Sequence, residues 1–253
     1  MLRAVALVVA LLFTGSPALV QPLKIAGGAD GTVLVADFGT GRIVKLDPRT
    51  RTRTTVARGL AHLASVTTAP GGTIYAIADE KLFRVGGGRV SLVWASSDEG
   101  PTDCAAAADG VVYVARYGDH VDRVAPDGSV SVVARGFDRP HGITLTRGGA
   151  LLVADTYAGA IRRIGRDGSV TTVATGVGRP MDVAVAPDGS LLVADLAGRR
   201  LLRIHGGATT VVARRLGAVT GVAIANGAVY VVAGDGPFKV ARIGPHGSVT
   251  AIA

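Results

Sequence analysis

Three residues stand out for their chemistry and their spacing. Asp103, His141 and Asp182 lie 38 and 41 residues apart, and each follows the same kind of Gly- or Pro-marked boundary. Two carboxylates and an imidazole suit a divalent metal or an acid–base pair. The alternative is that they are solvated polar groups or caps of backbone N–H groups. Which holds depends on whether the chain brings them together, so the elements that carry them come first.

The spacing belongs to a repeat. "GTVLVAD", "GTIYAIA", "GVVYVAR", "GALLVAD", "GSLLVAD" and "GAVYVVA" end at residues 37, 78, 116, 155, 195 and 233, with intervals of 41, 38, 39, 40 and 38. A period near 40 residues indicates stacked or radial units. Each unit reads as four short strands. In 140–176 these are "PHGITLT", "ALLVAD", "AIRRIG" and "SVTTVATG", separated by "RGG", "TYAG" and "RDG". Glycine accepts positive φ cheaply, so Asp-Gly and Gly-Gly pairs mark tight hairpins. No segment sustains a helical period. The second strand of each unit is apolar on consecutive residues, as a strand covered on both faces should be. The expectation is an all-β, six-bladed β-propeller of four-stranded antiparallel blades, with repeats about 22–60, 61–100, 101–139, 140–179, 180–218 and 219–253. The phase of the repeat leaves blades 1 and 6 to close by face packing, without a shared sheet. With its weak first strand "LKIAGG", blade 1 makes this the expected loose seam.

Residues 1–18 read as an export signal. Arg3 is followed by ten apolar residues, Ala4 to Phe13, and Ser16 and Ala18 are small residues at the cleavage positions. Ten apolar residues fall short of the roughly 20 needed to span a bilayer. An exported propeller over 19–253, without a membrane span, is expected. Removal of Arg3 lowers the formal charge of +8 by one, and the basic balance favours anionic partners. The single cysteine, Cys104, forms no intrachain disulfide. A monomer is compatible with the sequence, which leaves oligomeric state open.

The "PxGhxhxxxGxhhVADxxxxRhxRh" pattern (h apolar), carried best by "PHGITLTRGGALLVADTYAGAIRRI" and "PMDVAVAPDGSLLVADLAGRRLLRI", resembles the NHL-repeat β-propellers. More distantly it is similar to the gluconolactonase-type and streptogramin-lyase-like propellers. The NHL resemblance implies the six-bladed fold and a binding, sensing or enzymatic role. The gluconolactonase likeness implies a metal-dependent hydrolase, but the acidic residue that such sites take from blade 1 is missing from "LKIAGG". Neither Glu80 nor Glu99 lies on a first strand.

In a propeller blade the first strand starts, and the second ends, on one face of the disc. That face gathers the first-strand pairs Ala64-Ser65, Thr102-Asp103, His141-Gly142, Met181-Asp182 and Thr220-Gly221. It also gathers the "VAD" aspartates Asp37, Asp155 and Asp195, whose recurrence before Gly-containing loops marks them as loop-holding acceptors. Arg116 replaces the aspartate in blade 3 and is expected as a ligand contact beside Asp103. Arg139 and Arg179, before the inter-blade prolines, and Arg58, Arg135 and Arg214, ending fourth strands, should form a basic rim on the same face.

Two functions follow. One is a binding module that takes an anionic ligand, a glycan or an acidic protein through Arg116, Arg139, Arg179 and His141, with no cofactor expected. The other is a metal-dependent lactonase or other hydrolase, or a lyase, with calcium or zinc on Asp103, Asp182 and His141 at the channel mouth. Nucleic acid is disfavoured by the export signal and by the absence of aromatics interleaved with the basic residues. Sparse aromatics likewise weaken a sugar-stacking site.

Overall fold

A computed structural model of the chain describes residues 18–28, 30–97 and 100–253. The expected export signal and Glu99 therefore fall outside the described residues, apart from Ala18. The described chain forms six four-stranded antiparallel sheets, each built from strands consecutive in sequence. This is the six-bladed propeller expected from the repeat. No helix among the described residues is long and apolar enough to cross a membrane.

The innermost strands are Pro22–Gly27, Leu63–Thr68, Pro101–Ala106, Pro140–Leu145, Pro180–Val185 and Ala218–Ala225. Packing explains the continuous apolar runs beside them. In the second strand of blade 4, Leu151–Asp155, Leu151 and Val153 pack with Ala115, Val121 and Phe137 of blade 3. Leu152 and Ala154 face the other way, onto Val183, Val193 and Leu202 of blade 5. A side chain the size of leucine or valine contributes about 1.5–3 kcal/mol when so buried, and every blade repeats the arrangement.

Blades 1 and 6 share no sheet. They close through a core of Ile25, Val33, Val35 and Val44 against Ala223, Tyr230, Val232 and Ile252. The last strand is three residues long, Val249–Ala251, and wholly exposed. Face packing, with a hydrogen bond from Thr220 Oγ1 to Leu23 O (2.7 Å), thus joins the two blades. The expected weakness of the first inner strand does not extend to its pairing, since five residues of Pro22–Gly27 pair with Val33–Asp37.

One irregularity recurs in all six blades. The register between first and second strands shifts just after the first pair, or after the second in blade 6: Pro22/Lys24, Leu63/Ser65, Pro101/Asp103, Pro140/Ile143, Pro180/Asp182 and Val219/Gly221. A bulge re-aims the side chains that follow it. Here it separates two rings of residues around the axis. Leu23, Ala64, Thr102, His141, Met181 and Thr220 are half-buried on the outer side. The next residues, Lys24, Ser65, Asp103, Gly142, Asp182 and Gly221, are buried at the axis.

Candidate functional site: a closed axis and an Arg–Tyr rim

The inner ring is a hydrogen-bonded layer across the axis. Lys24 Nζ from blade 1 lies 2.9 Å from Asp103 Oδ2 and 3.1 Å from Asp182 Oδ1, and donates to Met181 O at 3.2 Å. Asp103 Oδ1 accepts from Ser65 Oγ and from Cys104 N (2.9 Å), and Oδ2 accepts from Ile143 N (3.1 Å). Asp182 accepts from Val183 N and Val222 N, both at 2.9 Å. Each aspartate thus accepts from the residue that follows a glycine of the next blade. A Cβ on Gly142 would lie 2.6 Å from Asp182 Cα and 2.8 Å from Asp182 Oδ1, so the layer requires glycine there.

All of these side chains are buried, where an unpaired charge would be costly. Burial works against the Lys24 ammonium, but Asp103 and Asp182 outweigh it and raise its pKa above the ordinary value. Burial is also the largest influence on Asp182 and lifts it to about 6 against the pull of Lys24. The thiol of Cys104, beneath the layer, is raised well above its ordinary range, by burial first and then by Asp103.

The structure thus brings Asp103 and Asp182 together, on an ammonium, and leaves His141 in the outer ring. No hydrogen bond joins the imidazole to either carboxylate. Among the described residues no group of three His, Cys, Asp or Glu side chains is arranged to hold a metal ion. Calcium takes six to eight oxygens and zinc four ligands in a tetrahedron. Here the carboxylate oxygens are already spent on N–H and O–H donors, and a fixed positive charge stands between them. The residues present do not fit a divalent ion. Lys24 and Ser65 complete the ring, and both escape a search restricted to acids and imidazoles.

The "VAD" aspartates hold loops, as expected. Asp37 accepts from Gln21 N (2.7 Å) and Thr40 Oγ1 (2.7 Å), and Asp155 from Asp138 N (2.7 Å). Asp195 accepts from Arg179 N and Gly198 N, both at 3.0 Å. Each ties the incoming inter-blade connector to its own blade. Arg116, in the equivalent place, is 1% exposed. Its Nη2 donates to Ser96 Oγ at 2.7 Å, its Nη1 lies 3.7 Å from Asp122, and its guanidinium stands over Trp94 at 5.0 Å. Packed between blades 2 and 3, it presents nothing to a ligand and serves the scaffold.

Arg139 and Arg179 are placed differently. Connectors and second-to-third-strand loops alternate around this face, held by bonds such as Tyr157 N to Asp138 O (3.1 Å) and Leu196 N to Arg179 O (3.0 Å). The side chains alternate likewise. Arg139 Cζ lies 5.5 Å from the Tyr117 ring and 4.8 Å from the Tyr157 ring, and Arg179 Cζ lies 4.8 Å from the Tyr157 ring. Arg179 Nη2 also donates to Tyr157 Oη at 3.2 Å. His141 meets Tyr117 edge-on at 5.7 Å.

Tyr117 and Tyr157 are 38% and 45% exposed, high for large rings in this chain. No carboxylate lies within ion-pair distance of either guanidinium among the described residues. Asp138 acts on Arg139 only through space. By contrast Arg135, also expected on the rim, is paired with Asp119 at 3.1 Å. Hydrogen bonding to Arg139, then to Tyr117, and the charge of Arg179 lower the Tyr157 phenol below its ordinary value. Burial, then Lys24, drives the His141 pKa down to about 4, with Asp103 opposing. The imidazole is therefore neutral at physiological pH. This face offers two oriented cations, two exposed rings and a neutral imidazole.

On the opposite face a cavity of ≈ 620 Å³ runs up the axis to the same layer, lined by Thr67, Thr144, Ala184 and Ile224 and floored by Lys24, Asp103 and Asp182.

By sequence the chain matches no family model and no curated protein. Solved structures match it in fold. A virginiamycin B lyase from Staphylococcus aureus superposes with a TM-score of 0.69 at 18% identity, covering 93% of this chain and 85% of that one. For a gluconolactonase from Xanthomonas campestris the TM-score is 0.73 at 16% identity, covering 87% and 84%. A chain of a nidogen/laminin complex gives 0.71 at 17%, covering 81% and 86%. The superpositions show a shared fold, and at identities this low they carry no activity with them.

Proposed function

We propose that this chain is an exported recognition propeller that captures a carboxylate-bearing glycan on the face of blades 3 to 5. The observation that carries the reading is the Tyr117–Arg139–Tyr157–Arg179 ladder, in which two guanidiniums stack on exposed rings and have no carboxylate partner. Contact with the rings and with Tyr157 Oη orients each guanidinium, and its remaining N–H groups suit bonds to a carboxylate. Tyrosine adds an apolar face beside a hydroxyl, which suits a sugar ring. The basic balance of the chain adds a longer-range attraction, and the export signal in 1–18 supports capture outside the cytoplasm.

A hydrolase or lyase using a metal at the axis has only the fold likeness behind it, because the Lys24-bridged layer does not fit a metal ion. The test is titration of the full mature chain with polygalacturonate and with neutral dextran. Wild type should bind the acidic polymer and ignore the neutral one. Arg139→Glu/Arg179→Glu should weaken binding at least tenfold, since rim contacts to a charged partner are worth about 1.4 kcal/mol or more together, with the melting temperature unchanged. Undiminished binding by the double variant, or equal binding of dextran, would overturn the reading.

A further inference from the structure

The layer at the axis contains an arrangement that neither the repeat nor the rim requires. Two aspartates from blades 3 and 5 converge on one point, and the tip of a lysine from blade 1 stands there. Three oxygens surround Lys24 Nζ within 3.2 Å: Asp103 Oδ2, Asp182 Oδ1 and Met181 O. The remaining carboxylate positions are held by backbone N–H groups of Cys104, Ile143, Val183 and Val222 and by Ser65. The cavity of the opposite face ends on this layer, so water and small ions reach it from one side.

We infer that Lys24 is the resident cation of the propeller axis, holding Asp103 and Asp182 in place of a divalent ion, and that its removal converts the axis into a site for an added cation. The physical case is charge accounting. Without the ammonium, two carboxylates face each other in a buried layer, and the charge must be met by a proton on one of them or by another cation. Met181 O, the two carboxylates and waters from the cavity supply the oxygen ligands that calcium accepts. Ethylammonium has the size and donor geometry of the missing side-chain tip. This inference is independent of the glycan reading, because neither Arg139 nor Arg179 touches the layer.

The experiment compares full-chain wild type with Lys24→Ala. Wild type should carry no stoichiometric divalent metal by elemental analysis, and neither chelator nor calcium chloride should move its melting temperature. Lys24→Ala in chelator should melt roughly 10 °C lower, as expected for breaking a buried ion pair in a domain of this size. Calcium chloride or ethylammonium chloride, at about 10 mM to exceed the weakest protein calcium affinities, should restore at least half of that loss. Potassium chloride at matched ionic strength should not.

Stoichiometric metal in wild type would overturn the inference. So would a Lys24→Ala melting temperature close to that of wild type, or a loss that no cation repairs. If Lys24→Ala does not fold, Lys24→Met/Asp103→Asn/Asp182→Asn removes all three charges together. A folded triple variant that is indifferent to calcium supports the charge accounting, and an unfolded one contradicts it.

Discussion

The axis and the rim of blades 3 to 5 are both charged, yet they are built on opposite terms. At the axis Lys24, Asp103 and Asp182 are buried and share their hydrogen bonds with one another and with backbone groups of neighbouring blades. At the rim Arg139 and Arg179 are exposed, rest on tyrosine faces and have no carboxylate in reach. The comparison teaches that the presence of charged side chains near a propeller mouth does not locate a site. What separates scaffold from site is whether the charges already have their partners. By that criterion Arg116 and Arg135 join the scaffold, and Arg139 and Arg179 do not.

The largest expected effect tests the axis half of this contrast. Gly142→Ala places a methyl 2.6 Å from Asp182 Cα, a backbone atom with no room to retreat. We expect a loss of about 3 kcal/mol or more in urea unfolding, against less than ~0.5 kcal/mol for Arg139→Ala on the exposed rim. Similar losses at both positions would erase the distinction. Next in size is Asp195→Ala, which strips acceptors from Arg179 N and Gly198 N. It should cost about 2 kcal/mol and, by freeing the connector that carries Arg179, weaken glycan binding as well. A stability loss with binding intact would mean that Arg179 needs no anchoring.

A third prediction concerns the place where the two regions meet. The pKa of His141 is lowered to about 4, from an ordinary value near 6.5. Its contribution to stability is therefore present above pH 6.5 and lost as pH falls towards 4. The pKa of Asp182 is raised to about 6, so its contribution is present below its ordinary 3.8 and lost as pH rises through 6. Between pH 6 and 4 the two slopes oppose each other. Removing the imidazole with His141→Asn should uncover the Asp182 slope. The variant should gain on the order of 2 kcal/mol relative to wild type over that window, read from urea midpoints at several pH values. Parallel pH profiles would show that the imidazole does not carry this linkage. The smallest expected effect is on binding itself. With the imidazole neutral and the arginines charged, glycan affinity should change less than about twofold from pH 8 to pH 6.

Much of the fold is legible in the sequence, because "VAD" runs with Asp-Gly and Gly-Gly turns at a 40-residue period leave few other ways to bury apolar strands. The closure of blades 1 and 6 by face packing follows from the phase of the same repeat. The site is less legible, for a definite reason. Period-two alternation assigns faces only in a regular strand, and the register shifts across His141 and Gly142 in blade 4 and across Thr102 in blade 3. Residues that look equivalent along the chain therefore belong to different rings. Lys24 is hidden because nothing in the blade 1 strand itself marks its base as the partner of two acids in blades 3 and 5. Tyr117 and Tyr157 were hidden by averaging, since a chain poor in aromatics still concentrates two on adjacent loops. Their signal is positional: each follows the end of a second strand by one or two residues.

The most direct test of the central claim is a hydrogen–deuterium exchange footprint of wild type with and without polygalacturonate. The account predicts protection confined to the segments around Tyr117, Asp138–His141, Tyr157 and Arg179, with the turns at 146–149 and 186–189 on the cavity face unchanged. Protection of those turns, with the Arg–Tyr face unaffected, would contradict it.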